Sequence, residues 1–137
     1  MAHERYLADT SVFHRLPRPA VATAFQAVIS AVAVCGAVAF ELGFSARNSA
    51  DYENVKRVLR SVDWAPRTDA NHVRALELQE ALTLRGQHRA LSFVDALLAA
   101  VAEERGLTVL HYDGDFELIA GLTGQPHEWI VRRGTAD

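Results

Sequence analysis

Five of the seventeen carboxylates in this 137-residue chain stand where carboxylates are unusual. Asp9 closes the short apolar run Tyr6-Leu7-Ala8 and precedes two hydroxyl residues, Thr10 and Ser11. Glu41 sits among apolar residues in "AVAFELGF", and Asp95 lies near the start of "SFVDALLAAVAEERG". Asp113 and Asp115 follow the run "LTVLHY", with Gly114 between them. Acids gathered without a counter-charge repel and raise one another's pKa. A hard divalent cation such as Mg²⁺ or Mn²⁺, which prefers carboxylate and water oxygens, removes that repulsion. It also activates bound water and steadies charge on a phosphoryl group, which is the chemistry of a metal-dependent nuclease.

Each acid also has a purely structural reading. Asp9, Thr10 and Ser11 suit a helix N-cap, and Asp113 can cap the segment behind it. Ser92-Phe93-Val94-Asp95 fits a capping box, in which the fourth residue bonds back to the cap. Alternatively, Asp95 projects from its first helical turn into a crevice. Glu41 either faces solvent at a helix boundary or is buried with a partner, because an unpaired buried carboxylate is unfavourable. Gly114 permits an unusual turn that aims both neighbouring acids inward.

The elements that carry these residues alternate between strand and helix. Tyr6–Ala8 reads as a strand, 12–28 as a helical turn broken at Pro17 and Pro19 and then a helix, and 28–35 as a β-leaning run. Residues 37–48 and 51–62 read as helices, the second capped by Asp51 with Val55, Val58, Leu59 and Val62 on one face. A turn at "DWAPR" leads to Thr68, the cap of a long helix ending near Gly86. Ser92 caps a helix that Gly106 stops, 107–112 is a strand, "DGD" turns into a short helix, and 128–131 is a last strand. Helical crossovers between strands require a parallel sheet covered on both sides, hence an α/β fold. In such sheets ligands bind beyond the carboxyl ends of the strands. Asp9 and Asp113 end two different strands and so reach the same edge.

Composition bounds the remaining possibilities. The length suits a single domain over 1–137, with half the residues apolar and 23% charged. The longest apolar run, 27–40, is too short to span a membrane and is broken by Gly36. Charge in "MAHERYLAD" argues against an export signal, and the single Cys35 in an apolar run reads as a core residue, so a cytoplasmic location is expected. The net charge of −3 does not advertise nucleic-acid binding, although arginine outnumbers lysine heavily and Lys56 stands alone. Arginine offers a planar fork suited to phosphate. Arg15, Arg18, Arg47 and the His88–Arg89 pair lie close in sequence to the acidic motifs, and Arg15, Arg47 and Arg89 are the candidates for contact with a phosphate backbone. Phe13, Leu16, Phe44 and Trp64 either line a groove or pack in the core. His111 reads as a satisfied core or edge histidine, and Trp129 as packing.

"YLADTSVF", "AFELGFSARN", "LSFVDALLAAVAEERGLTVLHYDGDFELIA" and "EWIV" together resemble the PIN domain. More narrowly, they resemble the VapC ribonuclease toxins of bacterial type II toxin–antitoxin pairs. The likeness runs from Tyr6 to about Val131, and its specific part is the ordered set of acids. It implies an α/β/α sandwich with a central parallel sheet of four or five short strands. It also implies Mg²⁺- or Mn²⁺-dependent endonucleolytic cleavage of RNA by a homodimer, held in check by a cognate antitoxin. By position, Asp9, Glu41 and Asp95 match the first three catalytic acids and Asp113 the fourth, with Asp115 standing where many members carry a further acid. The implied metal ligands are Asp9, Asp95, and Asp113 or Asp115. Thr10 and Ser11 match supporting hydroxyls, one orienting Asp9 or a metal-bound water and the other capping the next turn.

Other classes fit less well. A phosphoacceptor receiver needs a lysine on a late strand, but Lys56 lies in a helix. A haloacid-dehalogenase-like phosphatase needs a second Asp where Ser11 stands. Two alternatives keep the fold: a nuclease of RNA processing outside a toxin–antitoxin pair, and a non-catalytic binding module.

Overall fold

The computed structural model describes residues 5–137; residues 1–4, which carry part of the charged N-terminal stretch, lie outside the described residues. Five short strands form one parallel sheet: β1 (Tyr6–Ala8), β2 (Val32–Val34), β3 (Asp63–Trp64), β4 (Thr108–His111) and β5 (His127–Trp129). Seven α-helices connect them: α1 (Thr10–His14), α2 (Pro19–Val28), α3 (Gly36–Phe44), α4 (Ser49–Leu59), α5 (Asp69–Thr83), α6 (Phe93–Arg105) and α7 (Asp115–Thr123). Every residue of β1 and β2 is buried, as in a sheet covered on both faces. The expected α/β architecture is therefore present.

The strand order is β3-β2-β1-β4-β5. The chain builds outward from β1 to β3, then crosses to the other side of β1 to add β4 and β5. Between β1 and β4 the crossovers leave in opposite directions, which opens a crevice beyond the carboxyl ends of those strands. The register pairs Ala8 with Leu110, so Asp9 and the residues after His111 emerge side by side at that crevice.

Local chemistry sets the helices that border it. In α6, Ser92 caps the first turn and Gly106 ends the last one at φ +66°, a left-handed conformation that an L side chain rarely adopts. The run from Asp95 to Ala102 is buried throughout, so α6 packs tightly and holds its first turn against the sheet. The reciprocal capping box occurs at α5: Asn71 N–H donates to Thr68 Oγ1, and Thr68 N–H donates to Asn71 Oδ1 at 2.7 Å. Asn71 is buried, and its amide donates to Glu104 Oε2 at 2.6 Å, tying α5 to α6.

Several local expectations change. Asn48 rather than Asp51 caps α4; its side chain accepts Asp51 N–H at 2.9 Å, while the Asp51 carboxylate pairs with Arg47. "DWAPR" contains β3, whose residues pair in register with Ala33 and Val34. Ile29–Ala31 form a 3₁₀ turn ahead of β2. The last strand is 127–129 rather than 128–131. Gly114 sits at φ −62°, ψ −15°, an ordinary right-handed conformation, so the turn between the acids does not require glycine.

Asn71→Ala removes a buried double-duty amide and leaves Thr68 N–H without its partner. The expected loss is about 1–3 kcal/mol of unfolding free energy, read from the urea midpoint at unchanged denaturant slope.

Candidate active site

Asp9 follows β1 directly, and its backbone N–H donates to Leu110 O at 2.9 Å, which fastens it to the end of β4. Its Oδ2 accepts the Ser11 N–H at 3.1 Å and the Ser11 hydroxyl at 2.6 Å. Asp9 is thus the N-cap of α1 and also an acid facing the crevice. The Ser11 hydroxyl accepts Tyr112 N–H at 2.8 Å, so one oxygen links both strand ends. The neighbouring Thr10 hydroxyl is directed elsewhere, donating to Glu41 Oε1 at 2.5 Å across to α3.

Asp95 enters from the first turn of α6. Its N–H donates to Ser92 Oγ at 3.1 Å, which is half of the expected capping box. Its carboxyl instead lies among the other acids, against Asp115. Asp113 follows β4, and its Oδ1 accepts the Asp115 N–H at 3.0 Å. Asp9, Asp95 and Asp113 each offer a carboxylate oxygen, and these three atoms lie within 4.8 Å of one another. Asp9 and Asp95 are buried and Asp113 is half-buried. Of the two acids around Gly114, Asp113 joins this group, whereas Asp115 stands beside Asp95. Glu41 is half-buried on α3 and bonded to Thr10, outside the three-oxygen cluster.

The electrostatics follow from this geometry. Burial pushes the Asp95 carboxyl up to about 8, helped by the charges of Asp9, Asp113 and Asp115 and by its hydrogen bond to Asp115. Asp9 is also raised, chiefly by burial and further by Asp113, with the two Ser11 hydrogen bonds pulling the other way. Among the described residues, the charges that shift Asp95 are those of other acids. Three converging oxygens of hard-donor type, two of them buried, fit Mg²⁺ or Mn²⁺.

The candidate arginines do not converge on the acids. Arg15 lies over the Tyr112 ring at 4.5 Å and donates to Ser11 O and Ala136 O, each at 3.2 Å. Arg18 donates to Asp137 O. Arg47 pairs with Asp51 at 2.7 Å, and its side chain is 84% exposed. His88 and Arg89 are exposed in the connection between α5 and α6. Phe13 is a core residue packed edge-on to Phe25, and it also floors a groove with Leu16, Leu42, Val55 and Val58. Phe44 and Trp64 are exposed and line two further grooves, Phe44 beside Thr10 and Glu41 and Trp64 beside Phe40 and Tyr52.

Two features were not readable from sequence. The Tyr112 hydroxyl accepts the N–H groups of Gly134 and Ala136 and donates to Asp137 Oδ1 at 2.7 Å, docking residues 134–137 behind Ser11. His111 and His127 meet ring to ring, with Nε2 of the first 2.8 Å from Nδ1 of the second. Burial and the neighbouring His127 push His111 down to about 3. As expected, it is a satisfied core residue; its partner, sixteen positions away, had no visible pattern. Cys35 is buried at the end of β2, and Trp129 packs on His111 and Tyr112. Among the described residues, no helix is long and apolar enough to cross a membrane.

A family profile for the PIN domain matches residues 6–122. The chain is 46% identical over 135 residues to the Mycobacterium tuberculosis (strain ATCC 25618 / H37Rv) protein named Ribonuclease VapC51, covering 97% of this chain and 98% of that one. It is 42% identical to Ribonuclease VapC21 of the same organism, strain CDC 1551 / Oshkosh, over 96% of this chain and 98% of the other. Among solved structures, DNA-bound VapBC from Salmonella typhimurium superposes with a TM-score of 0.75 at 19% identity, covering 93% of this chain and 99% of that chain. VapBC-5 from Mycobacterium tuberculosis gives 0.62 at 26% identity, over 96% and 100% respectively.

An acid held near pKa 8 when folded, against its ordinary 3.8, binds its proton more tightly in the folded chain. Its contribution to stability is complete below 3.8 and is lost as the pH rises through about 8. In EDTA, the melting temperature is therefore expected to fall as pH is raised from about 5 to about 8.5. Asp95→Asn should flatten that slope and raise the melting temperature at the upper end.

Proposed function

The chain belongs to the VapC branch of the PIN-domain family, and we propose that it is a Mg²⁺- or Mn²⁺-dependent endoribonuclease, the toxin of a type II toxin–antitoxin pair. The observation that carries this reading is the cluster of Asp9, Asp95 and Asp113 oxygens within 4.8 Å at the β1–β4 crevice. The relatives named as ribonucleases support RNA as the substrate. The solved neighbour from Mycobacterium tuberculosis, titled as a member of the VapBC family of toxin–antitoxin systems, supports an antitoxin partner.

In this reading Asp9, Asp95 and Asp113 hold the ion, and Asp115 serves as an outer acid next to Asp95. A bound Mg²⁺ or Mn²⁺ supplies Lewis-acid chemistry, acidifying water and neutralising charge on a phosphoryl oxygen. Ser11 fixes the Asp9 carboxylate through two hydrogen bonds and keeps Oδ2 from rotating away. Thr10, next to Asp9 in the chain, donates to Glu41 and orients it, and in this reading Glu41 is the acid outside the ion's ligands that takes part in proton transfer. Before an ion arrives, Asp95 keeps its proton near neutral pH, which limits repulsion inside the cluster.

RNA approaches an acidic centre, so cations must meet its phosphates away from the acids. Arg47 and Arg89 are exposed and Arg15 donates to the Ser11 carbonyl, which supports a phosphate-contact role for them. Two groups of exposed apolar side chains, Phe40, Phe44, Tyr52 and Trp64 on one side and Val73, Leu76 and Phe93 on another, support two protein contacts. We assign these to the antitoxin and to a second copy of the chain. A cytoplasmic location accords with that role.

The test compares the purified chain with Asp9→Asn on structured RNA in EDTA, Mg²⁺ and Mn²⁺, after both are confirmed folded. Cutting by the native chain should need metal. Asp9→Asn should lower it by more than the roughly 10–100-fold typical of losing an outer-shell partner. Equal cutting by both proteins would contradict the assignment.

A further inference from the structure

His111 is the most constrained side chain that this chemistry leaves unused. It is fully buried on β4, with the rings of Phe116, His127 and Trp129 at centroid distances of 4.9, 5.0 and 4.9 Å. Both of its nitrogens are engaged. Nδ1 accepts the backbone N–H of Asp113 at 3.0 Å, and Nε2 lies 2.8 Å from His127 Nδ1. A ring nitrogen that accepts an N–H carries no proton, so the His111 proton sits on Nε2 and is donated to His127. The imidazole is neutral and held in one tautomer, and its partner is what holds it there.

The bond from Asp113 matters because of where it falls. β4 ends at His111, so Asp113 N–H lies beyond the ladder and would otherwise lack an acceptor there. The imidazole supplies one from inside the core. At the other end of the residue, Asp113 Oδ1 accepts the Asp115 N–H. Amide and carboxylate are therefore both held, which fixes how Asp113 stands relative to Asp9 and Asp95.

We propose that His111 is a positioning residue: its imidazole, locked in one tautomer by His127, sets the Asp113 backbone and so the carboxylate that completes the three-acid cluster. The inference rests on reading that cluster as a metal site, and it adds an outer shell of the kind that orients metal ligands elsewhere. His111 and His127 come from neighbouring strands, β5 being the sheet edge, so the pairing of β4 with β5 is coupled to the geometry of the acids.

The experiment measures Mn²⁺ affinity by calorimetry for the native chain, His111→Leu and His111→Asn, with folding checked by circular dichroism. His111→Leu removes the acceptor and should weaken Mn²⁺ binding roughly tenfold or more. The Asn Oδ1 occupies the place of Nδ1 and can accept Asp113 N–H, so His111→Asn should recover most of the affinity although it too loses the bond to His127. Nitrogen NMR of the native chain should find His111 Nδ1 bare and Nε2 protonated. Should His111→Leu fail to fold, His127→Leu on the half-exposed edge strand takes its place, with a smaller loss of affinity expected. Unchanged affinity in the folded variants, a loss that Asn does not recover, or a proton on His111 Nδ1 would each overturn the inference. A native chain that does not bind Mn²⁺ would overturn the reading of the cluster itself, and this inference with it.

Discussion

Mutual repulsion among three carboxylates is the constraint that the rest of this structure serves. Asp9 and Asp113 leave adjacent strands at the point where the chain reverses its direction of sheet building, and Asp95 arrives from the helix that leads into β4. Bringing their oxygens within 4.8 Å in partly buried surroundings is unfavourable unless a frame holds them there. The frame is made of neutral donors. Ser11 serves Asp9, the Asp115 N–H serves Asp113, and Ser92 anchors the Asp95 backbone. These bonds orient the acids without supplying a counter-charge, so Asp95 retains its proton until a divalent cation takes its place. Beneath the cluster, β1 is buried throughout, β4 is buried from Val109 to His111, and α6 is packed from Asp95 to Ala102.

The surroundings divide labour in a related way. Arg15 is held by the Tyr112 ring and two carbonyls, so it stiffens the rim and has little freedom to follow a ligand. Arg47 is bound to Asp51 in an exposed pair, an arrangement that contributes little to stability. Tyr112 does more than pack. Its backbone N–H reaches Ser11 and its hydroxyl docks residues 134–137, so the residue that follows β4 ties the C-terminal segment to the support of Asp9.

Much of this was legible in the sequence, for identifiable reasons. β1, β4 and α6 announce themselves because β1 is wholly apolar, Val109 and Leu110 centre a β-leaning run, α6 carries a long apolar stretch from Ala96 to Ala102, and Asp9, Ser92 and Gly106 mark their ends. That Asp9 and Asp113 share an edge follows from parallel strands joined by helices. β3 was not legible, since Asp63 and Trp64 are both exposed and owe their strand character to backbone pairing with Ala33 and Val34. The cap of α4 was misplaced because Asn48 and Asp51 are both good caps, and the pull of Arg47 on Asp51 decides between them. In the cluster, the proximity of Asp113 rather than Asp115 depends on how α7 begins. The His111–His127 pair depends on the register of β4 with β5, which no periodicity encodes.

If the acids are gathered to receive a cation, then Mn²⁺ must displace the proton that Asp95 retains in the metal-free chain. Calorimetric titration with Mn²⁺ in buffers of different ionisation enthalpy measures that displacement directly. About one proton should be released per ion near pH 7, and the number should decline as the pH passes about 8. Binding with no proton release at any pH, or no binding by the folded chain, would contradict the account.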